Sequence, residues 1–430
     1  MKVALLNPPW TFDGSIYFGC REPHLPLELG YARALLERGG HEVLLLDGHL
    51  MGQSYAEMAG KVQAFGPAMT VVATAPSYLF WRCAPPELRV PREMLDAVAG
   101  IAGLTVAVGP HGSATPGATL RKLGVDVVVM GECEEVLAAL AAGGRPGAVP
   151  GTAILAGDVL QRADGPQAGR FTDLAPLSWP DEWVRRHRHH HHRFDQPPVG
   201  LGAEVEASRG CPYSCSFCAK IDFRDKYRRR DLAALLAEID GLIAQGVQFI
   251  YFIDEIFLPQ RALLEALALR RVEFGVQTRI DLWKPDMLAL LGVAGCVSIE
   301  AGVESLTEDG RAALDKRCKM TTDELADLLI DARRHVPFVQ ANLLETQGDD
   351  AALVTAWRDR LRAAGVWAND PVPLYPYPSS PDYRRLFGVP DDAAWERAHS
   401  HYLGQFSSFS DIQEDRPLPL RDLEHACRTG

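Results

Sequence analysis

The chain has 430 residues, 47% hydrophobic and 23% charged, with a formal net charge of −12. That length exceeds one ordinary domain and predicts two or three, each with a sizeable core. The acidic balance argues against a nucleic-acid partner, because phosphate binding wants a basic face. No apolar run approaches the roughly 18 residues that span a bilayer, and Val3–Leu6 is too short for a signal peptide. No membrane span and a cytoplasmic location are therefore expected. Nine cysteines, three of them within eight residues, read as metal or redox chemistry and not as a disulfide framework.

In chain order, the first 150 residues alternate short apolar runs with helical periodicity. Strands are expected at Val3–Leu6, Val43–Leu46, Thr70–Ala73, Thr105–Val108 and Val127–Met130. Helices are expected at Leu27–Arg38, stopped by Gly39-Gly40, and near Tyr55–Phe65. Such alternation predicts a parallel sheet covered on both faces, whose ligands bind beyond the carboxyl ends of the strands. Those ends carry Asn7-Pro8-Pro9-Trp10, Thr74-Ala75-Pro76-Ser77, Gly109-Pro110-His111-Gly112 and Gly131-Glu132. Glycine admits a ligand close to the backbone, and proline stiffens a loop.

NPP, GPHG and GE, in that order, resemble the cobalamin-binding domain that precedes many radical S-adenosylmethionine (SAM) domains. The resemblance implies cobalamin contacts at Pro8, Pro9, Trp10, Ser77, Gly109, Gly112, Gly131 and Glu132. Cys133 stands where the family usually has a second glycine. Asp47-x-His49-x-x-Gly52 also fits a cobalt-ligating histidine signature, but it comes after the second strand instead of the first. The plainer reading, a strand-ending Asp before a surface loop, is preferred. His49 as an axial ligand is the minority alternative.

Residues 146–200 are rich in Gly, Pro and Arg, lack periodicity, and read as a linker. The run His187–His192 within them is expected to be a solvated polar stretch, since Arg185, Arg186, Arg188 and Arg193 would repel a divalent cation.

After an expected strand at Ala203–Ala207 comes Cys211-x3-Cys215-x2-Cys218. Three clustered thiolates can hold three irons of a cubane and leave the fourth open for chemistry. Zinc, or a fully ligated electron-transfer cluster, needs a fourth ligand, and Cys296 and Cys318 are distant in sequence. With Phe217 before the last cysteine, this spacing is the signature of the radical SAM superfamily. The resemblance implies a [4Fe–4S] cluster on Cys211, Cys215 and Cys218 that cleaves SAM reductively, with Phe217 beside the adenine.

Further strands are expected at Phe249–Ile253, Phe274–Gln277, Cys296–Ile299, Phe338–Ala341 and Gly365–Trp367, with helices at Asp231–Gln245 and Thr322–Arg334. FIDEIF, QTRIDLW and SIEAGVES resemble segments of cobalamin-binding radical SAM proteins. The resemblance implies SAM contacts from Asp254 or Glu255 to the ammonium, Arg279 to the carboxylate, and Glu300 or Glu304 to the ribose. For each, a helix cap or an ion pair is the bland alternative. Lys226, Tyr227 and Arg228–Arg230 read as a charged solvent face, or else as a site neutralising an anionic substrate.

The expected architecture is α/β. A flavodoxin-like (Rossmann-type) cobalamin domain spans 1–145, a linker 146–200, a partial (β/α)6 radical SAM barrel 201–375, and a short, mostly helical extension 376–430 over the barrel mouth. The resemblance implies a radical SAM enzyme, a cobalamin-dependent methyltransferase acting on a small-molecule, saccharide or natural-product substrate. An external donor such as flavodoxin or ferredoxin would supply electrons. The alternatives are cobalamin-dependent rearrangement or cyclisation without methyl transfer, loss of cobalamin from the front domain, and a non-catalytic cobalamin or Fe–S sensor.

Overall fold

The computed structural model describes residues 1–16, 22–76, 84–188, 200–346, 349–406 and 416–425. β1 (Lys2–Asn7), β2 (Glu42–Asp47), β3 (Met69–Ala73), β4 (Leu104–Val108) and β5 (Val127–Val129) are parallel, in the spatial order β2-β1-β3-β4-β5. Every residue of β3 and β5 is buried. A strand covered on both faces must be apolar on both, which is why these segments read as continuous β-branched runs. The intervening helices are α1 (Leu27–Arg38), α2 (Gly48–Met51), α3 (Tyr55–Phe65), α4 (Arg89–Ala97), α5 (Pro110–Ala114), α6 (Pro116–Leu123) and α7 (Glu134–Ala141). Ser54 and Glu57 close a reciprocal capping box on α3.

The expected linker is partly sheet. β6 (Thr152–Ala156) and β7 (Val159–Ala163) form a hairpin that adds antiparallel to the β5 edge, and α8 (Asp181–Arg186) comes next. Every residue of β7 is at least partly exposed. A short edge strand has no apolar face to conceal, so it leaves no clear hydrophobic period.

The second sheet starts with β8 (Leu201–Val205). A two-residue ladder of β9 (Ser208–Arg209) and β10 (Arg228–Arg229) brackets the cysteine loop, ahead of α9 (Leu232–Ala244). The sheet continues with β11 (Val247–Phe252), β12 (Glu273–Thr278), β13 (Cys296–Glu304), β14 (Phe338–Leu343) and β15 (Trp367–Ala368). These six strands are parallel and lie in chain order, with β8 and β15 as the two edges. α10 (Arg261–Leu267), α11 (Pro285–Val293), α12 (Glu308–Ala313), α13 (Thr322–His335) and α14 (Ala351–Ala363) connect them. Each of the six overlaps the run from which it was expected.

Register sorts the two faces, because paired residues in a parallel sheet share a side. Phe252, Val276, Ile299 and Val339 form one apolar row. Gln277, Glu300 and Gln340 form the next row, on the opposite face. The apolar row is buried in the core, and the polar row carries Glu300, which accepts from the Tyr251 hydroxyl.

α15 (Pro381–Phe387), α16 (Ala394–Gln405) and α17 (Leu420–His425) complete the fold. They do more than lie over the barrel. Trp395 of α16 packs tilted against His111, ring centroids 4.6 Å apart, and its indole N–H donates to Thr115 at 3.0 Å. Lys122 of α6 pairs with Glu396 at 2.6 Å and Glu424 at 3.0 Å. The extension therefore clamps the front domain as well.

Candidate active site

Beyond the carboxyl end of β8 the chain passes through β9 into the cysteine loop. Gly210 turns it with φ +77, and a Cβ there would sit 2.1 Å from the Lys226 carbonyl oxygen. Only glycine fits such an approach. Glu255, just past β11, accepts the Gly210 N–H at 2.8 Å. The Ser216 N–H donates to the Leu314 carbonyl at 2.9 Å, its hydroxyl donates to Asp382 at 3.1 Å, and the Asp382 N–H donates back to the Ser216 carbonyl at 2.9 Å. The loop is thus held from the ends of β11 and α12 and from the start of α15.

Cys211, Cys215 and Cys218 sit together on this loop, half-buried. Burial pushes the Cys211 thiol up to about 11 and the Cys218 thiol up to about 12, and raises Cys215 as well. Cys218 lies in the electrostatic field of both other thiols. Metal binding here must displace those protons. Among the described residues no group of three or more His, Cys, Asp or Glu side chains is gathered tightly enough for a single ion. Three thiolates with no fourth ligand in the loop suit three irons of a cubane, whereas a structural zinc asks for four protein ligands. Cys296 begins β13 at the other end of the strands, and neither it nor Cys318 belongs to the loop.

Around the loop stand the strand-end polar residues. Arg279 lies over the Tyr213 ring, 4.1 Å from its centroid, and is forked by Asp281 at 3.1 and 2.7 Å. One of its N–H groups, Nη1, is buried without a hydrogen-bond partner. Glu300 accepts from the Tyr251 hydroxyl at 2.9 Å. Glu304 adopts φ +64, uncommon for a residue with a side chain, and pairs with the buried Lys316. Phe217 lines a cavity of about 970 Å³ together with Leu314, Leu344, Leu374, Tyr375 and Glu345.

Asp254 and Glu255 face the protein and not an open site. Asp254 accepts the Ala207 N–H at 2.8 Å and the Ser208 hydroxyl at 2.5 Å, and burial raises its pKa well above the usual carboxylate range. Glu255 adds a contact to Arg224 at 3.1 Å. Sequence position put both acids at the mouth, but the loop folds down onto them.

At the front sheet, the order β2-β1-β3-β4-β5 reverses direction between β1 and β3, which opens a crevice at their carboxyl ends. Asn7 donates to Asp47 at 2.8 Å and accepts from the Trp10 indole at 2.7 Å. Asp47 also accepts the Leu50 N–H at 2.7 Å as the cap of α2, and burial pushes its pKa up to about 7. The D-x-H motif is therefore a helix cap, on one helical turn where a surface loop was expected. Thr74 is fully buried after β3 with an unpartnered hydroxyl, and His111 Nδ1 is unpartnered too. An orphaned buried hydroxyl at the end of β3, beside the switch point, fits a bound polar ligand.

Three other expected cobalamin contacts are occupied by the protein itself. A Cβ at Gly112 would meet Val128 at 2.4 Å, and one at Gly131 would meet the Gln167 carbonyl at 2.2 Å. Glu132 grips Arg228 and accepts the Gly169 N–H at 2.9 Å. These glycines admit neighbouring chain, a use that sequence alone does not distinguish from ligand contact. Ser77 and His189–His192 lie outside the described residues.

The model of the radical SAM superfamily matches residues 205–353, the span from β8 through the cysteine loop to α14. That span is therefore similar to the radical SAM superfamily. In sequence it is 23% identical over 318 residues to an uncharacterized methyltransferase of Pyrococcus horikoshii, covering 71% of this chain and 66% of that one. It is 24% identical over 413 residues to an anaerobic magnesium-protoporphyrin IX monomethyl ester cyclase of Cereibacter sphaeroides (90% and 64%). It is 27% identical over 340 residues to a hopanoid C-3 methylase of Methylococcus capsulatus (74% and 60%). The chain thus spans two thirds or less of the length of these curated relatives. Two solved structures share its fold. The methyltransferase TsrM of Kitasatospora setae, solved with cobalamin and a [4Fe–4S] cluster, superposes with a TM-score of 0.71 at 20% identity, covering 89% of this chain and 76% of that one. OxsB with aqua-cobalamin and SAM superposes at 0.69 and 15% identity, covering 98% and 57%.

The radical SAM domain meets the front sheet through a buried ionic network that sequence reading missed. Arg209 and Arg224 are each 1% exposed. Arg209 pairs with Glu206 at 2.8 Å and with Glu134 of α7 at 2.7 Å. Arg224 pairs with Glu206 at 2.7 Å, Glu255 at 3.1 Å and Glu28 of α1 at 3.3 Å. The expected charged solvent face at 226–230 holds only in part. Arg228 binds Glu132, and the buried Arg230 binds Glu238 at 2.6 Å. His187 is likewise buried, with burial pulling its pKa down to about 3, and it accepts the Leu25 N–H at 3.2 Å. A dense run of arginines beside cysteines was the available signal, but partners come from distant segments that no local pattern pairs. Tyr213 was also missed, because an aromatic within a cysteine loop has no spacing rule.

Proposed function

We propose that this chain is a radical SAM enzyme that works with cobalamin and transfers a methyl group to a carbon atom of a small-molecule, saccharide or natural-product substrate. The observation that carries the reading is the trio of loop thiols beside Arg279, whose Nη1–H is buried and unpaired. Cys211, Cys215 and Cys218 would hold a [4Fe–4S] cluster. When bound, such a cluster supplies the electron that splits the sulfonium of SAM, and cobalamin supplies a methyl-carrying cobalt.

The chain's own groups do the positioning. Arg279 offers its free N–H to the SAM carboxylate, a charge-assisted bond, while Asp281 fixes the fork. Glu300 and Glu304 are placed to meet ribose hydroxyls. Phe217 and the cavity of about 970 Å³ give an adenosine a dry wall. Pro8, Pro9, Trp10, Thr74 and Gly109 edge the crevice proposed for cobalamin. Asp254 and Glu255 shape the loop and are not assigned to SAM. An external donor such as flavodoxin or ferredoxin would deliver electrons, and the reading suits the reducing cytoplasm. No helix among the described residues is long and apolar enough to cross a membrane.

A second reading is cyclisation without methyl transfer, favoured by the match to the cyclase over 90% of the chain. The test is anaerobic reconstitution with iron, sulfide and hydroxocobalamin, then a 5′-deoxyadenosine assay and product analysis with methyl-labelled SAM. Label in a product supports methylation, and an unlabelled product supports cyclisation. A tightly held zinc, or a cluster whose spectrum ignores SAM, sinks both.

A further inference from the structure

The ionic network crosses from the front sheet to the backbone of the cysteine loop in three contacts. Glu28 sits in the first turn of α1 and reaches Arg224 Nη2 at 3.3 Å. Arg224 Nη1 reaches Glu255 Oε1 at 3.1 Å. The other oxygen of Glu255 accepts the N–H of Gly210, one residue before Cys211, at 2.8 Å. Gly210 leaves no room for a side chain, since a Cβ there would sit 2.1 Å from the Lys226 carbonyl oxygen. Glu28 and Arg224 are buried and Glu255 nearly so, so solvent screens these contacts little.

We propose that Glu28, Arg224 and Glu255 form a positioning relay through which the front domain sets the geometry and electrostatics of the cluster loop. The inference rests on the cluster assigned above. Arg224 is shared among three carboxylates, Glu28, Glu206 and Glu255. Neutralising Glu28 leaves the guanidinium wholly to Glu206 and Glu255, which weakens the hold of Glu255 on the Gly210 N–H. It also removes a buried negative charge near the loop. Cluster potentials respond to nearby charge and to hydrogen bonding. Glu28 is therefore a positioning residue for a cluster that it does not touch, and the front domain is more than a cofactor tray.

The test uses full-length protein reconstituted anaerobically with iron and sulfide and titrated by EPR under controlled potential. Parent, Glu28→Gln, Glu28→Asp, Glu255→Gln and the Glu28→Gln/Glu255→Gln double variant are compared. The expected result is parental iron and sulfide content in both Glu28 variants and a more positive midpoint potential in Glu28→Gln. Glu28→Asp should stay nearer the parent. The double variant should depart from the sum of the single shifts, because both act through Arg224. A Glu28→Gln midpoint equal to the parent's, or strictly additive shifts, overturns the relay. Should Glu28→Gln fail to fold, Arg224→Lys carries the same test, since lysine keeps the charge but cannot bridge both carboxylates. A parental midpoint there overturns the proposal equally. A parent that takes up no iron is a different result, and it overturns the cluster itself.

Discussion

The Arg279 guanidinium sits over the ring of Tyr213, 4.1 Å from its centroid, so a strand-end cation is braced by a residue between Cys211 and Cys215 of the cysteine loop. Asp281 locks the fork from the other side at 2.7 Å. The pair joins the cysteine loop to the end of β12, and it leaves Nη1 unpaired.

That bracing predicts a graded series for SAM binding, read from SAM-induced changes in the EPR spectrum of the reduced cluster. Arg279→Lys loses the planar fork and should weaken binding by about 1.5–3 kcal/mol, roughly ten- to a hundredfold, with iron content unchanged. Tyr213→Ala should cost about 0.5–2 kcal/mol, the range of a cation–π contact, and Tyr213→Phe almost nothing. Parental SAM affinity in Arg279→Lys would remove Arg279 from the site.

Replacing Cys211, Cys215 or Cys218 singly by Ala should abolish the intact cluster, measured as iron and sulfide per chain. Cys296→Ala should leave both at parental values, since that thiol is buried at the far end of β13 with its pKa pushed up to about 12. Retained iron in all three loop variants would point to ligands elsewhere.

Gly210→Ala forces a side chain against the Lys226 carbonyl at φ +77. Strain of this kind costs about 1–3 kcal/mol. Urea denaturation should register the loss, and cluster uptake should fall with it, because Gly210 precedes Cys211. A variant as stable as the parent, with full iron, would contradict the close approach.

His111 predicts a pH dependence. It is buried, and burial pulls its pKa from 6.5 down to about 3. Between those values the unfolded chain binds the proton and the folded chain does not. Stability from this group is therefore complete above pH 6.5 and is lost as pH falls toward 3. The midpoint of thermal unfolding should drop more between about pH 7 and about pH 5 for the parent than for His111→Gln. Parallel profiles would mean that His111 is protonated while buried.

Much of the molecule was legible in the sequence because it is local. Strand positions come from short β-branched runs, and all six barrel strands lie close to where those runs fall. The cysteine trio is set by the spacing from Cys211 to Cys218 and needs no fold to bring it together. Asp47 before Leu50 is likewise local: the strand-ending Asp was legible, while the helical turn it caps stands where a surface loop was expected. The hairpin inside the expected linker, residues 146–200, left no clear signal because every residue of β7 is at least partly exposed.

The sequence by itself determined the order of elements and the chemistry of the loop, since periodicity and the spacing of ligands are properties of the linear chain. Only the tertiary structure decided where each strand-end charge points. Asp254, Glu255, Glu132 and Arg230 all looked available for ligands, and all proved to be matched to protein groups. A buried charge needs an opposite charge or a hydrogen bond wherever the chain can supply one. That partner is set by packing between segments far apart in the chain, and no local pattern encodes it.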